Sequence, residues 1–163
     1  EWGGLGFSSW VRSVTDEEFD ALETYVSAEY YSINKGLRSG KVSREHQERV
    51  SKVDAALSKG SVPEDVIAYR GLATQSVVSK LKEGVVIEDK GFVSTSMFKD
   101  TAEKFADKAL MEIKIPKGSP GGYIDAIMES GEQELLLPRN SRFKVTGIRM
   151  EGKRKIVTAE LVR

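Results

Sequence analysis

A mixed α+β chain, helices first and strands afterwards, is what this sequence predicts. Amphipathic helical spacing is concentrated before Gly60, and β-prone runs recur from Val66 to Val162. Clusters of glycine and proline, such as Pro116 to Gly122, punctuate those runs. The expected core is a two-sheet, mostly antiparallel arrangement with helices at its N-terminal side. At 163 residues the chain is long enough for one domain with a sizeable core, spanning 1–163.

Glu1 to Phe7 reads as a loose lead-in, with Trp2 or Phe7 available to pack on the body. Thr15 with Glu18 three residues on is a capping box, and Phe19, Leu22 and Val26 give the helix after it an apolar face ending near Ser27. A second helical segment runs through Tyr30, Ile33 and Leu37 and stops at Gly40. Its Tyr30, Asn34 and Arg38 recur every four residues, on a face that either lines a cleft or lies in solvent. Ser43 caps a charged helix whose Val50, Val53, Ala56 and Leu57 face inward.

Val66 to Arg70 is a buried-looking strand, with Arg70 expected at its end just before Gly71. Thr74 to Leu81 is a short helix and Val85 to Ile87 a brief strand. Gly91 to Ser96 is β-prone, with Ser94 and Ser96 giving one face small hydroxyls. Asp100, with Glu103 three on, is expected to cap a helix to about Asp107. Ala109 to Ile115 alternates as a strand, and extended structure resumes at Tyr123 to Ala126. Arg142 to Ile148 and Ile156 to Val162 form a hairpin around Glu151-Gly152-Lys153.

Composition removes several chemistries. The 25 basic residues balance the 25 acidic ones, so the footprint of a nucleic-acid binder is absent. No apolar run reaches the length of a membrane span, and no signal segment opens the sequence. There is no cysteine, and the one histidine, His46, lies in a charged helical stretch. Thiolate chemistry, a familiar zinc site and a serine–histidine hydrolase are therefore not expected, and no metal is implied. A first residue of Glu1 rather than methionine points to a piece of something longer.

The chemistry-bearing stretch is Gly131-Glu132-Gln133-Glu134 before Leu135-Leu136-Leu137-Pro138. In an extended chain alternate side chains share a face, so Glu132 and Glu134 should overlook one site while Gln133 points away. Like charges held together raise at least one pKa, a cost relieved by a cationic substrate or a developing positive charge. The same stretch also reads as a solvated turn before a strand. Arg70 needs an anionic partner, either a protein carboxylate or a ligand phosphate, whose oxygens its fork suits.

Four ordered motifs carry a resemblance. Ile33-Asn34-Lys35-Gly36-Leu37-Arg38, Tyr69-Arg70-Gly71, Phe92-Val93-Ser94-Thr95-Ser96 and Glu132-Gln133-Glu134 before Leu136-Leu137-Pro138-Arg139 together resemble the arginine–serine–glutamate class of mono-ADP-ribosyltransferases. The likeness is strongest to the enzymatic components of actin-modifying binary toxins and of vegetative insecticidal toxins. It implies the ADP-ribosyltransferase fold, with an NAD⁺ cleft between two roughly perpendicular sheets. Carried over, it gives Asn34, Arg38 and Arg70 to the phosphates and adenosine side of NAD⁺, Gly71 to the nicotinamide amide, and Phe98 to packing on the nicotinamide ring. Ser94 would orient Glu134, the catalytic glutamate, and Glu132 would be the first residue of the Glu-x-Glu form found in arginine-modifying members. The implied activity is transfer of ADP-ribose from NAD⁺ to an arginine of a target protein, with nicotinamide released. An NAD⁺ glycohydrolase or a non-catalytic module on the same fold are the alternatives. Actin is one target the likeness raises. Secretion or delivery into a host-cell cytosol, by a partner or an additional domain, is the implied location.

Overall fold

The structure, a computed structural model, describes residues 6–162. Helix α1 (Ser8–Ser13) leads into α2 (Asp16–Thr24), which opens with the expected box: the Thr15 side chain accepts from Glu18 N and the Glu18 side chain accepts from Thr15 N. One π-helical turn, Tyr25–Glu29, then joins α2 directly to α3 (Tyr30–Ser39), so the two predicted helices form one rod with a wide turn in it. Gly40, at φ 78°, closes α3 in the left-handed conformation that glycine adopts without strain. Helix α4 (Arg44–Ser58) is capped by Ser43 and buries the four predicted apolar residues.

Strands β1 (Val66–Leu72), β2 (Val86–Asp89), β3 (Val93–Ser96), β4 (Ala109–Ile115), β5 (Gly122–Tyr123), β6 (Glu134–Leu137), β7 (Ser141–Glu151) and β8 (Arg154–Val162) pair in the order β2-β7-β8-β4-β1-β3-β6-β5. Every pairing is antiparallel except β4 with β8. The expected two sheets appear as two halves of this order. The five strands from β2 to β1 share long ladders, whereas β1 meets β3 at one register pair, Tyr69 with Ser96. β3 then carries β6 at Ser94↔Leu136 and Ser96↔Glu134. Beyond that joint the chain positions both the predicted hydroxyls and the predicted glutamate.

Several expectations are corrected. No element was expected between the lead-in and Thr15, yet α1 forms there: Trp10 is buried and its indole N–H donates to Ala56 O at 2.7 Å, pinning α1 on α4. Phe7 is buried and stacks on Tyr123, while Trp2 lies outside the described residues. β1 runs through Leu72, so Arg70 is inside the strand rather than at its end. The helix expected over Thr74 to Leu81 is reduced to α5 (Gln75–Val78). The helix expected from Asp100 is α6 (Lys99–Glu103), which has Phe98 at its N-cap and no capping side chain. Residues 124–126 are a 3-10 turn rather than extended, closed by Ile127 N donating to Ile124 O at 3.0 Å. Among the described residues no helix is long and apolar enough to cross a membrane.

Candidate active site

A cleft of about 1180 Å³ opens between the α2–α3 rod, β1, β3 and the segment before β6. Arg38, Arg70, Ser94 and Glu134 all line it, together with Asn34, Gly71 and Glu132. Phe98 does not. It is 57% exposed at the start of α6, two residues past Ser96, where β3 ends. The aromatics that line the cleft are Tyr25, Tyr30, Tyr31, Tyr69, Phe92 and Phe105. Phe105, in the turn after α6, carried no signal in the sequence because the predicted helix continued past it.

Gly71 is in the cleft wall for a steric reason that the sequence did not reveal. A Cβ there would stand 2.5 Å from Ala102 O and 2.6 Å from Ala106 N, so only glycine lets the backbone after α6 press against β1. Asn34 is buried, and its amide is engaged on both sides: Nδ2 donates to the Tyr25 hydroxyl at 2.8 Å and Oδ1 accepts from Phe92 N at 2.9 Å. It thereby ties α3 and the π turn to the approach of β3. The buried Tyr25 phenol is pushed upward, first by loss of hydration, and stays neutral.

At the cationic end, Arg70 has partners within the protein. Its Nη1 donates to Ser94 O at 2.8 Å, and Nη2 lies 3.9 Å from Asp89 Oδ2. Arg38 forks onto the same carboxylate, Nε to Oδ1 at 3.0 Å and Nη2 to Oδ2 at 3.1 Å. Asp89 was not singled out in the sequence, where it lies two residues past the expected strand among charged neighbours. Arg70 is pulled below its ordinary value, first by burial and then by Arg38, with Asp89 acting in the opposite sense.

At the acidic end, Glu134 is 7% exposed and its pKa is raised to about 7. Loss of hydration is the main cause; Glu132 and Asp125 add to it by like-charge repulsion, and a hydrogen bond from Ser94 and the charge of Arg70 oppose it. Glu132 is exposed at the rim. The alternation expected to bring the two carboxylates together fails at Gln133, whose φ of 49° is left-handed, and β6 begins only at Glu134. Glu132 nonetheless lines the same cleft, because the segment is bound at several points. Ser96 Oγ donates to Glu132 O at 2.7 Å and Met97 N to Gln133 O at 3.0 Å. Behind the turn, Asp125 accepts from Ser130 Oγ and from Gln133 N and Nε2, while Tyr123 donates to Gln133 Oε1. Gln133 thus points away as expected, but by a turn rather than by a pleat. Asp125 is a further residue that the sequence did not single out, because it falls in a stretch expected to be plain strand.

The cleft brings two arginines and a desolvated glutamate together on an α+β scaffold, and the comparisons give the family of the chain. The chain belongs to the ADP-ribosyltransferase exoenzyme family, whose sequence model matches residues 1–163. It is 32% identical over 149 residues to an NAD(+)–arginine ADP-ribosyltransferase of Enterococcus faecalis, covering 83% of this chain and 30% of that protein. To the mono-ADP-ribosyltransferase C3 of a Clostridium botulinum D phage it is 27% identical, covering 99% of this chain and 74% of that one. Among solved structures, the ADP-ribosyltransferase toxin Plx2a of Paenibacillus larvae superposes with a TM-score of 0.85 at 28% identity, over 99% of this chain and 94% of that chain. The BECa toxin of C. perfringens, solved with NADH, gives 0.82 at 26% identity, over 99% of this chain and 47% of that chain. The α+β fold class expected from the sequence is thereby established. The chain thus spans less than a third of the Enterococcus relative's length.

Proposed function

We propose that this chain transfers ADP-ribose from NAD⁺ to an arginine side chain of a protein and releases nicotinamide. The observation that carries the reading is Glu134, a glutamate kept desolvated in one cleft with two arginines. The cleft volume accommodates a dinucleotide, and its ends match the ligand's charges: guanidinium N–H groups for the diphosphate, carboxylates for the sugar next to a leaving nicotinamide.

Breaking the bond between the nicotinamide nitrogen and the ribose carbon sends the electron pair out with nicotinamide and leaves positive charge on the sugar. A carboxylate beside that sugar stabilises the transition state more than the ground state. Glu134 supplies it, oriented by Ser94. The acceptor arginine arrives protonated. Glu132, exposed at the rim, aligns the guanidinium and takes its proton as the new carbon–nitrogen bond forms. Arg38 and Arg70 hold the diphosphate still while the sugar reacts. Asn34 and Gly71 form the wall of the pocket, and Phe105 in place of Phe98 offers an aromatic face.

The relatives named as arginine ADP-ribosyltransferases support an arginine acceptor, and protein targets follow from the same likeness. Actin is the first target to assay, given the resemblance to binary toxins, and action after secretion or delivery into a host cell accords with relatives that are exotoxins. Incubation with label on the adenylate half of NAD⁺ and a eukaryotic lysate tests the reading. Protein-bound label that hydroxylamine releases supports an arginine linkage. Nicotinamide release with no labelled protein would show a glycohydrolase instead.

A further inference from the structure

The diphosphate grip contains a third charged residue that nothing above assigns a role. Resting on the proposed function of the cleft, we infer that Asp89 is a positioning residue for dinucleotide binding, bracing Arg38 and steadying Arg70 from behind. Arg38 is 45% exposed and lies on the last turn of α3, where a long side chain would ordinarily sample many rotamers. Asp89 removes that freedom by engaging Nε and Nη2 together, at 3.0 and 3.1 Å. The carboxylate is itself held in place. Its Oδ1 accepts from Gly91 N at 2.8 Å, its carbonyl accepts from Asn140 N at 2.8 Å, and its strand pairs with β7 at Ser141.

Two roles are open to an acid between two arginines: a stand-in for the phosphates, expelled when ligand arrives, or a fixed brace. The placement decides between them. Both arginines line the cleft and Asp89 is not among its lining residues, which favours the fixed brace. Gly91 packs into the same corner; a Cβ there would stand 2.9 Å from Asn34 Oδ1 and 3.1 Å from Arg38 Nη2, which leaves the arginine no alternative seat on that side. Asp89 also lies between two like charges that would otherwise repel each other. The grip therefore carries one net positive charge from three residues, with the fork of Arg38 already aimed.

The test is NAD⁺ binding by calorimetry and steady-state nicotinamide release in Asp89→Asn, which retains an acceptor for Gly91 N but loses the charge. The expected result is an NAD⁺ Kd and KM raised about tenfold, with kcat within about threefold of wild type, which is the signature of lost ground-state positioning. Inhibition by nicotinamide, which has no diphosphate, stays unchanged. If Asp89→Asn fails to fold, Asp89→Glu reads the same split, with Kd raised several-fold because the longer side chain misplaces the fork. Unchanged or tighter NAD⁺ binding in a folded variant would overturn the brace, the tighter case marking Asp89 as a competitor of the phosphates. A loss confined to kcat would overturn it equally. Wild-type protein that binds no NAD⁺ would instead remove the reading of the cleft on which the inference rests.

Discussion

The two ends of the cleft treat charge in opposite ways. At the cationic end both arginines have a protein acceptor at rest: Arg38 on Asp89, Arg70 on Ser94 O and, at longer range, Asp89. At the acidic end Glu134 is buried and repelled by two other carboxylates, with a hydrogen bond from Ser94 and the charge of Arg70 opposing them. One end is settled in advance and ready to hold. The other carries an unfavourable charge, which under the proposed reaction a positive charge developing on substrate would relieve. That asymmetry is what differential stabilisation of a transition state requires, since an acid already neutralised by a neighbouring cation would have little left to give.

The largest expected effect comes from removing the uncompensated charge. Glu134→Gln should lower both transfer and NAD⁺ hydrolysis by about 10²–10³-fold or more, as loss of a principal electrostatic stabiliser does. It should also make the protein more stable above neutrality. The folded-state pKa of Glu134, about 7, lies above the ordinary carboxylate value of 4.5, so the folded state binds more protons between those limits and stability falls as pH rises through them. The glutamine variant lacks that loss, so its advantage is absent below about pH 4 and reaches on the order of 1–3 kcal/mol by pH 8. Thermal melts of both proteins across that range measure it; equal melting temperatures at pH 8 would mean that the acid is not desolvated.

Glu132→Ala probes the rim rather than the interior. Transfer to protein should fall by about 10²-fold, the lower end of the usual scale for losing a general base, while NAD⁺ hydrolysis survives because Glu134 and the arginines are untouched. Parallel assays of labelled protein and free nicotinamide separate the two. Equal losses would place Glu132 in bond cleavage and erase the division of labour between the carboxylates.

The pH profile ranks third. Glu134 acts ionised, so kcat/KM for NAD⁺ hydrolysis should climb about tenfold per unit below neutrality and level off above about pH 7. A profile flat from pH 5 to 8 would show that the free protein holds this acid as an ordinary carboxylate.

How much of this was legible in the sequence follows the same division. Helix caps are local, so Thr15, Ser43 and Gly40 acted where expected. The long β7–β8 hairpin likewise follows from alternation and a turn glycine. The four motifs marked the cleft because each lies on a short stretch whose residue types carry the chemistry. What sequence could not give were features made by long-range contact. The bond from Trp10 to Ala56 that creates α1 spans 46 residues, and Arg38 meets Asp89 across 51. Gln133 was misjudged for a related reason. A left-handed residue costs little in itself beside the bonds that its side chain makes to Tyr123 and Asp125, and those partners were invisible in a reading of local alternation. Phe98 was placed by motif spacing alone, which does not see that the backbone leaves β3 at Ser96 and enters α6 at Lys99.

The smallest effect belongs to the acid that supports the acidic end without lining the cleft. Asp125 does two things at once: it holds Ser130 and Gln133, and so the turn that presents Glu132, and its charge helps to raise Glu134. Asp125→Asn keeps one oxygen acceptor but removes the charge and replaces the other oxygen with a donor, facing the Gln133 N–H groups unfavourably. The ratio of transfer to hydrolysis should therefore fall about threefold to tenfold, as expected when a positioning contact is loosened and the chemistry is left in place. The midpoint of the hydrolysis profile should move to lower pH, because one of the like charges opposing ionisation of Glu134 has gone. A purely structural role would change stability without moving that midpoint. A midpoint that stays fixed while the ratio falls would confine Asp125 to shaping the turn, and a fixed ratio with a shifted midpoint would confine it to the field around Glu134.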